Sequence, residues 1–168
     1  MKLRNLKKVP MEIASLLAAN ENVVRLIYDD SSSALSTPKD FNIGVRDLIT
    51  SNYIGFYPAT ESGIKDIERN TFIIINLEDI NLQNADNNTS ASGAIYITTD
   101  RSHCLLDNNK LRLLELSDEI ESVLENEKLS SAGKIYLTSI NYVVFSDFRS
   151  GYRINFRIND QETRKAEL

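Results

Sequence analysis

Apolar and polar positions alternate most regularly near the end of the chain, where Tyr152, Ile154, Phe156 and Ile158 take turns with Arg153, Asn155, Arg157 and Asn159. A period of two puts the first four on one face of an extended strand and the basic and amide residues on the other. The turn "DFRSG" precedes this strand. Before it runs 134–146, "KIYLTSINYVVFS", with apolar residues of both parities, which predicts a strand covered on both faces for at least part of its length. A second strand pair is predicted upstream. Residues 72–82, "FIIINLEDINL", are dominated by β-branched side chains, and 94–99, "AIYITT", resume the pattern. Between them lies the polar stretch "QNADNNTSAS", too poor in apolar side chains to pack, so residues 83–93 read as an exposed hairpin tip.

Helical spacing appears elsewhere. Pro10 suits a first turn, and Met11, Ile13, Ala14, Leu16 and Leu17 follow on one side. After a break at "NEN", Val23, Val24, Leu26, Ile27 and Tyr28 read as a second short helix or a continuation of the first, which takes the helical segment to about residue 29. Residues 30–43 read as a long loop, 45–50 as a helical turn, and "YIGFYP" as a short strand ended by Pro58. The clearest helix is 110–126. Leu113, Leu116, Ile120 and Val123 or Leu124 line its apolar side, its other faces are acidic, Asn108 or Asn109 is placed to cap its start, and Gly133 closes the loop after it. The expectation is one α+β domain over residues 1–168: a mainly antiparallel sheet of about four main strands in two hairpins, flanked by N-terminal helices and one acidic amphipathic helix.

Composition narrows the function. The chain has 168 residues, 42% hydrophobic and 26% charged, with a net charge of −5. An acidic balance argues against a general nucleic-acid binder, which gathers Lys and Arg against phosphates. The basic start "MKLRNLKKVP" leads into a run interrupted by Glu12 and Asn20 rather than a signal-peptide core, and no apolar run approaches the ~18 residues of a membrane span. A soluble protein without a membrane partner is expected.

Candidate chemistry adds little. His103 adjoins Cys104, but neighbours on a strand point to opposite faces, and no other His or Cys is present to complete a nucleophilic pair or metal set. Asp29 and Asp30, Glu78 and Asp79, Asp107 and the acidic helix supply carboxylates at the spacing of solvated faces and caps rather than of a converging cleft. "LDNNK" lacks the alternating ligands and terminal Glu of a calcium loop, and the six glycines form neither a P-loop nor a dinucleotide fingerprint. No catalytic, cofactor or metal residues are assigned, and a non-enzymatic binding or assembly role is expected. Arg149, Arg153 and Arg157 form a basic ridge on the last hairpin. It either protects a sheet edge or meets carboxylates such as Glu115, Asp118 and Glu119 on a neighbouring copy.

The order of motifs resembles a known family. A strand ending near "HC", the helix "DNNKLRLLELSDEIESVL", the strand "GKIYLTSINYVVFSDF" and the closing "GYRINFRI" are similar to the C-terminal half of tail-completion or neck proteins of tailed bacteriophages, of the tail-terminator type. "VPMEIASLLAANENVVRLIYDD" is similar to their opening helices. The resemblance implies a structural virion subunit, assembled in the host cytoplasm, that forms a ring, often hexameric. Such a ring ends the tail tube and joins it to the head connector, with DNA passing through its lumen. The segments 30–43 and 83–93 would then contact the rings above and below. A cytoplasmic adaptor or regulatory binding module is the alternative.

Overall fold

The computed structural model describes residues 3–37, 41–56, 59, 64, 67–82 and 89–159. Among the described residues, four helices precede the sheet: α1 (Leu3–Leu6), α2 (Val9–Ala19), α3 (Glu21–Tyr28) and α4 (Val45–Thr50). Pro10 falls in the first turn of α2, where its missing N–H costs nothing. The break at "NEN" is a real boundary. Asn20 turns extended there and its side chain accepts from the Val23 N–H at 3.0 Å, capping α3. α1 is an additional helix that the sequence pattern does not announce.

Among the described residues the sheet has six strands in the order β1-β2-β3-β6-β5-β4. They are β1 (Ile54–Gly55), β2 (Thr71–Leu82), β3 (Thr89–Asp100), β4 (Lys128–Leu129), β5 (Gly133–Ser146) and β6 (Arg149–Asn159). The four long strands form the two expected hairpins, β2 with β3 and β5 with β6, and β3 pairs β6 to fuse them. All pairings are antiparallel except that of β1 with β2, which is parallel. β1 holds Ile54 and Gly55 of "YIGFYP"; residues 57 and 58, with the expected stop at Pro58, lie outside the described residues. β3 starts at Thr89, so residues 89–93 of the expected hairpin tip are strand, and 90–93 are paired on both sides. They are small, and Gly93 shows why: a Cβ there would come within 2.1 Å of the Asn76 carbonyl oxygen and 2.6 Å of the Phe156 ring. Residues 83–88 lie outside the described residues.

The helices cover one face of the sheet. Ile13 and Leu17 of α2, Val23 and Leu26 of α3, and Leu116, Ile120 and Leu124 of α5 (Arg112–Leu124) pack on Ile73, Ile75, Ile95, Ile97, Ile154, Phe156 and Ile158. Each such side chain stabilises the fold by about 1.5–3 kcal/mol when fully buried. A smaller cluster of Ile64, Phe72, Ile74 and Phe145 covers part of the other face. The isoleucine run of β2 therefore has partners on both sides, as its unbroken apolar character requires.

Two expected details differ. The N-cap of α5 is Leu111, without a side-chain bond; Asn109 sits in the preceding turn at φ 61°, and Asn108 Oδ1 accepts from the Lys110 N–H instead. His103 and Cys104 also end no strand, because β3 stops at Asp100 and residues Arg101–His103 form a 3-10 turn capped by the Asp100 carboxylate.

The first part of the 30–43 loop is built around a buried guanidinium. Arg112, fully buried at the start of α5, donates through Nη1 to Leu26 O and Asp29 O at 2.8 Å each, through Nη2 to Ser31 O, and through Nε to His103 O at 2.9 Å. It thereby terminates α3, holds residues 29–31 and ties the 3-10 turn to α5. Burial pushes its pKa down, and the nearby Asp30 and Asp29 oppose that shift. Ser36 donates to the Asp107 carboxylate, and the Asp107 N–H donates to Ser32 O, so residues 31–36 are also fastened from the α5 side.

Candidate functional site

β5 changes character along its length. At its start the outer edge is occupied: Ile135 exchanges backbone bonds with residues 126 and 127, and the Leu137 N–H donates to Glu125 Oε2 at 2.7 Å. Beyond Leu137 no described strand pairs with the outer side of β5. Ile135 and Leu137 send their amides outward, and both face partners on β6 that recur every second residue. The bulge between Leu137 and Ser139 preserves that phase, since Phe156, Ile154, Tyr152 and Ser150 face Leu137, Ile140, Tyr142 and Val144 in turn. The backbone N–H and C=O groups of Ile140, Tyr142 and Val144 therefore point away from the sheet.

The side chains of these residues are uncovered too. Ile140, Tyr142 and Val144 are 45%, 60% and 59% exposed, and Phe148 at the following turn is 74% exposed. Ile140, Tyr142 and Val144 lie on the same face as the buried Ile154, yet the helical layer stops short of them. Tyr142 leans edge-on against Tyr152, with ring centres 5.7 Å apart. An unpaired strand with a continuous apolar face is a template for another strand, and natural proteins usually blunt such an edge with charge or proline. From 138 to 146, "TSINYVVFS", β5 carries neither.

The basic ridge lies on the other face. Arg153 pairs with the Glu78 carboxylate and rests 5.6 Å from the centre of the Tyr96 ring, which also donates to Glu78. Arg149 lies 4.9 Å over the Phe72 ring, and Arg157 is exposed. The acidic set belongs to the helical layer. Glu115 pairs with Lys110 at 2.8 Å, Glu119 accepts from the Asn20 and Asn22 side chains at 3.0 and 2.8 Å, and Asp118 is exposed. The fold thus separates the two sets, and within one copy Arg153 finds Glu78, across the sheet from the acidic helix.

The weighed chemical groups are placed apart by their bonds. The Cys104 thiol donates to Asp100 O at 3.5 Å and burial pushes its pKa up, while His103 Nδ1 lies 2.8 Å from Ser102 Oγ. Among the described residues no three His, Cys, Asp or Glu side chains are grouped to hold a metal ion, and no helix is long and apolar enough to cross a membrane.

Residues 20–158 match the model of the YomW family, from the N-cap of α3 to the penultimate residue of β6. The chain belongs to the YomW family. That family is phage-derived, of an SPbeta-type prophage gene, which makes this YomW-family chain phage-associated. No curated protein matches it. The matched span contains the sheet up to Ile158, with the uncovered edge of β5, so the edge is part of the YomW fold unit rather than an addition to it.

Proposed function

We propose that this chain is a structural virion protein, a ring-forming subunit of a phage neck or tail end that terminates the tail tube and joins it to the head connector. The observation that carries the reading is the outer edge of β5, where outward backbone groups and uncovered apolar side chains coincide at Ile140, Tyr142 and Val144. A strand partner would satisfy both at once, and a protein made in many copies has one at hand in its neighbour. The phage-derived family and the likeness of the motif order to tail-terminator proteins support the same reading. Copies of the chain, the connector and the tail-tube protein are its partners, and its final place is the virion.

Native mass spectrometry and light scattering at micromolar concentration test this. A closed oligomer is expected, alone or on addition of the connector or tube protein. A strictly monomeric chain that binds neither would contradict the reading.

A further inference from the structure

We propose that neighbouring copies join head to tail by continuing the sheet, the outer edge of β5 in one copy pairing antiparallel with the outer edge of β2 in the next. This rests on the ring reading above and gives it a seam.

Strand direction permits the contact. β2, β3, β6 and β5 are each antiparallel to the next, so the first and last of the four run in opposite senses. A copy brought alongside by rotation about a ring axis presents its β2 antiparallel to the first copy's β5. An odd number of long strands would have made that contact parallel.

The two edges also match in chemistry on the same face. Ile80 of β2 is 41% exposed and shares a row across the sheet with Ala91, Ile158 and Ile135. Ile140 shares a row with Ile154, Ile95 and Ile75 on that face. Both edges therefore carry unburied apolar side chains on the helical side. Continuing the sheet sets Ile80 of one copy beside Ile140 and Tyr142 of another, as a cross-strand pair.

The short strands set the stagger. β1 pairs with β2 at Ile73 and Ile74, and β4 pairs with β5 at Gly133 and Lys134, so among the described strands the stretch of β2 around Ile80 and the stretch of β5 beyond Leu137 lie at opposite ends of the sheet. Ile80 is level with Ile135, whereas the centre of the uncovered row is Tyr142, about six steps further once the bulge is discounted. At ~3.3 Å per residue that is a stagger of roughly 20 Å, against a four-strand width of roughly 19 Å at ~4.8 Å spacing. The strands would then tilt by about 45° to the ring axis, at the upper end of the ~35–45° found in closed sheets. Two β5 edges pairing with each other would close a dimer and leave Ile80 uncovered, with no ring formed.

Complementation between two variants tests the seam. Tyr142→Pro removes an outward N–H from β5, and Ile80→Lys places a charge on the β2 edge; Val144→Glu replaces the first variant if proline disturbs the fold, as judged by circular dichroism. Each variant alone should lose association at least tenfold. An equimolar mixture should give a heterodimer by native mass spectrometry, since the intact β5 of one meets the intact β2 of the other. Wild-type assembly with no heterodimer in the mixture, or unimpaired assembly of folded Ile80→Lys, would overturn the seam and leave the ring standing. Failure of the wild type to assemble, with or without the connector or tube protein, would overturn both.

Discussion

β5 and β6 lie side by side and both send apolar side chains to the helical face, yet their fates differ. In β6, Ile154 and Phe156 are at most 1% exposed beneath the helices, while Ile140 and Tyr142, directly across from Ile154 and Tyr152, remain 45% and 60% exposed. The pattern tells which way a side chain points, and the extent of the covering layer decides whether it is buried. α5 reaches Leu124, and residues 125–129 cover only the beginning of β5, so the outer half is complete in hydrogen bonding on one side alone.

The largest way to separate the two strands is truncation. Phe156→Ala should cost about 3–5 kcal/mol in urea unfolding, the usual range for a buried ring, whereas Tyr142→Ala should stay within about 0.5 kcal/mol at concentrations where the protein is monomeric. Equal losses would mean that β5 is as fully packed as β6. Arg112→Met asks a similar question of the loop. Four carbonyl groups lose their donor, and a destabilisation of about 2–4 kcal/mol is expected, with residues 29–31 gaining faster amide exchange.

A smaller effect concerns the turn that leads into β5. Burial raises the Glu12 pKa, but bonds from the Ser130 hydroxyl and the Ser131 N–H outweigh this and hold it below its ordinary value of 4.5. A carboxyl depressed on folding stabilises fully above its unfolded value, and that contribution fades as pH falls through the folded value. Glu12→Gln should therefore lose about 1 kcal/mol at pH 7, with the gap to wild type closing below pH 4.5. A gap constant with pH would show that the carboxylate charge is not what ties α2 to the β4–β5 turn. The smallest change is expected from Arg153→Glu with Arg157→Glu. The exposed Arg153 pair with Glu78 is worth about 0–1 kcal/mol, and assembly should persist if the sheet edges form the seam. Loss of the oligomer in a folded double variant would instead favour a charged contact with Glu115, Asp118 or Glu119.

Much of the fold was readable where a residue's own periodicity decides the outcome. The two hairpins, the boundary at Asn20, the helical turn at 45–50 and the acidic helix all follow from local spacing and side-chain type. The parallel pairing of β1, the existence of β4 and the extension of β3 to Thr89 depend on distant strands. Arg112 was missed for the same reason. Its charge on the α5 sequence reads as solvent-facing, and only the carbonyls of Leu26, Asp29, Ser31 and His103, gathered from three separate segments, make its burial affordable. The β5 edge had a legible signal in "TSINYVVFS", uncharged and free of proline, but the mixed parity read equally well as a strand covered on both faces.

The most direct measurement is amide hydrogen exchange at Ile140, Tyr142 and Val144, compared between dilute protein and the assembled state at high concentration or on its neck partner. The account predicts fast exchange when dilute and protection on assembly that matches the buried strands. Exchange at these three amides that stays fast while the protein is demonstrably oligomeric would contradict it.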